Sequence, residues 1–267
     1  MKISIVLVFC FTIFFTSCSP YQQVYRSDDT TAKYAFADSL YKKGKYKKAL
    51  KLMEQIVPAY RGKPQAERLM FIYANTFYQM KAFYLAGYQF ERFETSYPKS
   101  DSVEIASFKS AKSYYQLSPR FSLDQEDTYK ALDNLQAFIN TYPNTQYRVE
   151  ANQLVSELRA KLELKDITVA KQYLKISDYK PAIGAFENFI SDHPGSPFRK
   201  DAFFGRLDAG YRLALNSVPI LVEERLNAAK EYYNSFVKYY KATELMTDAE
   251  EILKDINKRL NIEEPTS

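Results

Sequence analysis

One phrase of apolar and polar positions returns five times along the chain. An Ala is followed after three residues by a large apolar side chain, after two more by another, and after three more by an aromatic ring or His. The phrases run Ala49, Met53, Ile56, Tyr60; Ala86, Phe90, Phe93, Tyr97; Ala131, Leu135, Phe138, Tyr142; Ala182, Phe186, Phe189, His193; and Ala229, Tyr233, Phe236, Tyr240. Steps of four, three and four put each set on one face of an α-helix. The alanines are 37, 45, 51 and 47 residues apart, which leaves room for a short helix pair in each interval. Three phrases end on Pro98, Pro143 and Pro194. Proline cannot continue a helix and biases the residue before it away from helical geometry. Start signals follow each stop. Asp101-Ser-Val-Glu104 reads as a capping box, Asn144-Thr145 offers two capping oxygens, and Ser196 stands before a first-turn Pro197.

A second helical element precedes each Ala. "KYAFADSLYKKGKYKKA" gives a helix, a turn at Gly44-Lys-Tyr46, and a second helix from about Lys47. "LMFIYANTFYQMKAFYLA" and "KQYLKISDYKPA" repeat the design, with Ala74 for Ala37, Phe83 and Tyr179 for Tyr46, and Lys81 for Gly44. Small residues at Ala37, Ala49, Ala74 and Ala86 let paired helices approach closely. These positions resemble the small-residue and Gly-x-Tyr-x-x-Ala positions of tetratricopeptide repeats, whose standard length is about 34 residues. The expected fold is all-α: a right-handed α-solenoid of about five helix pairs with a C-terminal capping helix over Thr243–Leu260. Gln116–Asp127 reads as an insertion within the third unit. Residues 147–176 are periodic at Leu154, Leu158, Leu162, Val169 and Tyr173, and fit either one long helix or two. Asn216–Glu224 reads as a loop before the last pair.

Composition agrees with helices. The 267 residues include only 7 Gly and 11 Pro, which disfavours a turn-rich β-protein, and 23 Tyr and 19 Phe with no Trp. The net charge of +5 is spread along the chain, so no nucleic-acid partner is expected. Lys2 followed by the apolar run Ile3–Phe15 reads as a targeting segment, shorter than the roughly 20 residues of a membrane span. "FTSC" after it resembles a bacterial lipobox, although Phe15 stands where Leu is preferred. That resemblance implies cleavage before Cys18 and lipidation of Cys18, with residues 1–17 as signal peptide and 18–31 as lipidated N-terminus and tether. Ordinary secretory cleavage near Thr16–Ser17 is the other reading. Cys10 leaves with the leader, so a mature chain has one Cys and no internal disulfide.

Catalytic chemistry has little to work with. The single His, His193, fills a slot that Tyr occupies in other phrases, which points to packing. No zinc-ligand spacing or phosphate loop is present, so no enzyme activity, metal or cofactor is expected. A binding surface is easier to assemble. In a tetratricopeptide array the first helix of each pair lines the inner surface. Counting back from Gly44 and Lys81 selects Tyr34, Asp38, Tyr41 and Phe71, Asn75, Tyr78 as a peptide-binding groove. Rings would take apolar side chains and the polar groups a peptide backbone. Packing of the same rings against the tether or the next unit is the alternative.

The lipobox at Cys18, the stops Tyr97-Pro98-Lys-Ser100 and Tyr142-Pro143-Asn-Thr145, the insertion with Asp124-Gln125, and "ALDNLQAFINTYPNTQY" before a long helix together resemble the BamD family of outer-membrane-assembly lipoproteins. The resemblance covers nearly the whole mature chain. It implies a scaffold on the periplasmic face of the outer membrane. Repeats 1–3 (32–146) would meet unfolded β-barrel precursors, and the long helix with repeats 4–5 (147–267) would meet a BamA-like β-barrel protein. Ser19-Pro20 after Cys18 is not a surface-export cluster, which favours the periplasmic face. Some members carry an Arg at the position of Ala185 that pairs with BamA, and Lys241 replaces Pro at the fifth stop; both alter residue-level contacts. A lipid-anchored helical-repeat protein that binds a nutrient, glycan or other periplasmic partner is the alternative function.

Overall fold

The computed structural model describes residues 19–261, so the leader and Cys18 lie outside the described residues. Within them twelve α-helices and one 3-10 turn follow one another without a strand. The helices are α1 Pro20–Arg26, α2 Thr30–Lys42, α3 Tyr46–Ile56, α4 Ala66–Gln79, α5 Phe83–Ser96 and α6 Val103–Leu117. They continue as α7 Glu126–Thr141, α8 Arg148–Lys175, α9 Tyr179–Asp192, α10 Arg199–Leu215, α11 Pro219–Tyr240 and α12 Met246–Arg259. The chain is a helical-repeat protein in which the two helices of a pair pack against each other, as α2 on α3, α4 on α5, α6 on α7 and α10 on α11 do.

The five phrases are α3, α5, α7, α9 and α11. Their alanines are fully buried, as are Met53, Phe90, Leu135 and Phe186, and Ile56, Phe93, Phe138, Phe189 and Phe236 are buried with them. Tyr233 is the exception in the second slot, half-buried beside the cluster of Phe203, Leu207 and Phe236. Glycine serves the same close approach. Gly87 faces the Tyr114 ring, and a Cβ there would lie 3.1 Å from it.

Two compact units result. One holds the residues up to Ser118 with Glu126–Leu154; the other holds Pro119–Gln125 with Val155 onward. The division falls inside α8 instead of at 147. In the first unit, one cluster centres on Ala37, Leu52, Met53 and Leu69 and a second on Ala74, Phe90 and Phe93. In the second, Phe186, Phe189 and Ala202 form one cluster and Phe203, Leu207 and Phe236 another. α8 is one continuous helix of 28 residues. Its buried positions include Leu158, Ile167 and Ala170, whereas Val169 of the expected stripe is 39% exposed.

Several local expectations are corrected. No capping box forms at Asp101–Glu104; α6 starts from Ser102 without a side-chain cap. Instead the hydroxyl two residues after each Pro accepts the N–H two residues further on: Ser102 N to Ser100 Oγ at 3.0 Å, Tyr147 N to Thr145 Oγ1 at 3.1 Å, and Phe198 N to Ser196 Oγ at 3.2 Å. Ser100 then donates to Glu67 and Thr145 to Glu104, each at 2.5 Å. Glu104 is thus spent on tying the start of one repeat to the stop at its end. Pro197 lies before α10, which begins at Arg199. The loop expected over 216–224 is only Asn216–Val218, because Pro219 opens α11 at a position whose N–H needs no partner. In the stretch expected as a tether, Pro20–Arg26 is helical, with Ser19 as its cap. The insertion is ordered by buried Gln125, whose Nε2 donates to the carbonyls of Arg120, Leu123 and Asp124.

Between the helices of a pair the chain turns left-handed, at Gly44 (φ 68°), Lys81 (φ 59°) and Ser177 (φ 64°). Glycine takes this conformation freely, while a side chain costs about 1–2 kcal/mol there. Lys81→Gly relieves that strain and returns some of the gain as unfolded-chain entropy. The expected net is stabilisation by about 0.5–1 kcal/mol, read as a melting temperature higher by about 1–4 °C.

Candidate functional site

The first helices of the pairs in unit 1 are α2, α4 and α6. They bring the six predicted groove residues onto adjacent helices, with polar groups bonded across the repeat. Asp38 on α2 accepts from Arg68 on α4 and from Lys42 at 2.8 Å. Burial pushes its carboxyl up, but the hydrogen bonds from Lys42 and Arg68 outweigh this and hold it below the usual range. Asn75 Nδ2 on α4 donates to the Tyr41 hydroxyl. Its Oδ1 accepts from Lys109 Nζ on α6 at 2.5 Å. The Lys109 ammonium lies 5.9 Å from the Phe71 ring centre and 5.5 Å from that of Tyr78. Burial lowers its pKa, and the nearby Lys112 lowers it further. Lys112 continues the row to Glu150 of α8, at 2.5 Å.

Packing takes up part of the predicted surface. Tyr34 stacks on Tyr60 with ring centres 5.3 Å apart. Phe71 makes edge contacts with Phe90 and Phe93, and Tyr78 with Phe83 and Phe90. Asn75 is only 5% exposed, and the other five are half-buried. The open space is a cleft of about 710 Å³ displaced toward the start of α4, lined by Tyr41, Glu67, Arg68, Phe71 and Ser102 among others. Tyr41 and Phe71 of the predicted six reach it; Tyr34, Asp38, Asn75 and Tyr78 do not line it.

Arg68, Lys109 and Lys112 were missed by the sequence reading. The available signal was their offset. Arg68 follows Asp38 by 30 residues and Lys109 follows Asn75 by 34, close to one repeat. Among the described residues no carboxylate pairs with Lys109. Its charge is balanced only by an amide oxygen and two ring faces, which leaves it attractive to an incoming carbonyl or carboxylate.

Unit 2 has its own cleft, of about 740 Å³, with Tyr179, Phe204, Asp208, Tyr211, Arg212 and Asp255 in its wall. Tyr211 donates to Asp255 at 2.7 Å. That bond and the one from Arg259 hold the Asp255 carboxyl low. His193 packs on Phe189, ring centres 4.8 Å apart, and its Nε2 stands 3.3 Å from Asp166. Ala185 lines the small cleft beside this pair. Among the described residues no three His, Cys, Asp or Glu side chains are placed to hold a metal, and no helix is long and apolar enough to cross a membrane.

Residues 26–220 match the model of the family described as YfiO, outer membrane lipoprotein. Curated relatives carry the name outer membrane protein assembly factor BamD. The Caulobacter vibrioides protein is 28% identical over 144 residues, covering 54% of this chain and 46% of that protein. The Rickettsia prowazekii protein is 23% identical, covering 65% and 69%, and the Xylella fastidiosa protein is 25% identical, covering 63% and 61%. The match thus spans about half the length of the first relative. Among solved structures, the TPR2AB domain of yeast Sti1 in its pHSP90 complex aligns over 85% of this chain and 98% of its own, with 12% identity and a TM-score of 0.39.

Proposed function

The chain belongs to the YfiO family of outer membrane lipoproteins, the family of the BamD assembly factors, and on that premise we propose that it is a non-enzymatic scaffold of outer-membrane β-barrel assembly. It is anchored by lipid at Cys18 on the periplasmic face. Unit 1 receives extended segments of unfolded β-barrel precursors, and the repeats of unit 2 engage a BamA-like barrel protein. The observation that carries the reading is the family match over residues 26–220.

The chemistry of unit 1 supports the precursor assignment. An extended chain presents unpaired carbonyls and alternating side chains. Arg68 and the Phe71 edge line an open cleft, and Lys109 sits one helix away as a partly desolvated cation without a carboxylate. Hydrogen bonds to charged groups are the stronger kind, and stronger still out of water. Replacing Lys109 by Met keeps the length and apolar stem and removes the charge. The expected result is about tenfold weaker binding of a fluorescent strand peptide from a barrel precursor, which is about 1.4 kcal/mol. Lys180→Met, on the exposed face of α9, is expected to leave that affinity unchanged. Equal affinity in wild type and Lys109→Met would remove the groove from the account.

A further inference from the structure

The start of the described chain and a run of lysines lie together on the first helix pair. Residues 42–51 contain Lys42, Lys43, Lys45, Lys47, Lys48 and Lys51 and no acid. All six are exposed. Lys42 pairs with Asp38; the other five form no ion pair among the described residues. Lys43 and Lys45 flank the left-handed Gly44 turn. Ala49, Leu52, Met53 and Ile56 take the buried side of α3, so Lys47, Lys48 and Lys51 stand on its outer side. Glu54, one turn beyond Lys51, is the carboxylate that shares this face.

α1 fixes the N-terminal end next to this face. Ser19 caps the helix and Pro20 opens it. Tyr21, Val24 and Tyr25 pack into the first core cluster. Tyr21 lies 6.5 Å from the Phe36 ring, and the Lys48 ammonium sits over it at 5.2 Å from its centre. Cys18 immediately precedes the capping Ser19. A lipid on that Cys therefore enters the membrane only three residues from a ring held under Lys48, with no long spacer to carry the fold away.

We propose that the turn before α3 and the outer face of α3 form a docking surface for anionic phospholipid headgroups, which holds unit 1 against the membrane beside its own anchor. The inference rests on anchoring at Cys18. A basic patch next to an acyl anchor adds a second attachment, worth about fivefold in membrane affinity per lysine near an anionic surface. The peptide cleft is lined from α2, α4, α5 and the residue before α6, and it meets the lysine run only at Lys42, so Lys47, Lys48 and Lys51 on the outer face of α3 lie outside it.

The test uses the chain from residue 18 onward with Cys18→Ser, which removes the lipid and leaves the patch as the only attachment. Flotation is measured with vesicles of phosphatidylethanolamine and phosphatidylglycerol and with neutral phosphatidylcholine vesicles. The expected result is binding to the anionic vesicles only, released by about 0.5 M salt. Lys47→Glu, Lys48→Glu and Lys51→Glu together are expected to weaken binding more than tenfold. Lys175→Glu, Lys180→Glu and Lys241→Glu change net charge equally and are expected to weaken it far less. Equal loss in both triple variants, or equal binding to neutral vesicles, would overturn the proposal. Retention of the protein by polyglutamate but not by anionic vesicles would overturn it in favour of an acidic protein partner. Acyl incorporation at Cys18 and barrel assembly are read separately in cells, so failure of the patch is distinguishable from failure of the anchored-scaffold reading.

Discussion

Gly205→Val is expected to unfold the second unit at temperatures where the native protein is intact. Gly205 is buried in α10 against Phe186, the fully buried second-slot ring of the fourth phrase. A Cβ at Gly205 would stand 2.3 Å from Phe186 Cζ, 2.6 Å from Cε1 and 2.8 Å from Cε2. Those atoms belong to a ring enclosed by Phe189, Ala182 and Ala202 in one cluster, so it has little room to withdraw. Better helix propensity returns at most about 1 kcal/mol, while overpacking costs about 1–3 kcal/mol for the first methyl and more for a branched side chain. Gly205→Ala is expected to destabilise by about 1–2 kcal/mol and Gly205→Val by about 3 kcal/mol or more. Combining Gly205→Ala with Phe186→Leu is expected to recover part of the loss, because the two positions share one space. Gly184 on α9 gives the internal contrast. A Cβ there meets nothing within 4 Å, so Gly184→Ala is expected to stabilise by about 0.5–1 kcal/mol. Thermal unfolding of the four variants checks the signs.

Glu94→Gln is expected to stabilise the protein above neutral pH and to do little in acid. Burial near the end of α5 pushes the Glu94 carboxyl up to about 7. The Ser107 hydroxyl partly opposes this, and Glu91 one turn earlier adds repulsion. Tyr142 and Glu104 from the following units face the same region, and Tyr142 is itself pushed up by burial and by both carboxylates. Because the folded state holds the proton more tightly than the unfolded state, the sign is opposite to that of a salt-bridged acid. Stability is full below about 4.5, falls as pH rises from there to about 7, and is flat above. Allowing for screening at a half-buried site, the charged form costs about 1–2 kcal/mol at pH 8. Gln at this position removes that pH dependence. Denaturant melts of both proteins at pH 5 and pH 8 are the check, and equal differences at the two pH values would refute it.

The repeat phrase was legible in sequence because its information is local. Ala at a fixed offset from two apolar residues defines a helix face, and Pro98, Pro143 and Pro194 mark where each helix must end. The starts were less legible, since Asp101, Ser102 and Glu104 satisfy the capping pattern while the tertiary structure uses Ser100 for the turn and lends Glu104 to Thr145. The candidate site was half legible. Tyr41, Phe71 and Asn75 follow from helical counting within one unit. Arg68 and Lys109 are tied to the predicted residues by bonds that cross from one repeat to the next, and no single helix displays those. The same holds for Gly205, whose meaning depends on a ring on a different helix.

A role in barrel assembly is tested by the outer-membrane proteome of the native cells as this protein is depleted. Integral β-barrel proteins are quantified by mass spectrometry against lipid-anchored proteins of the same membrane. The barrel proteins are expected to fall severalfold while the lipoproteins hold, with unfolded barrel precursors accumulating in the periplasm. An unchanged complement of folded barrel proteins after full depletion would contradict it.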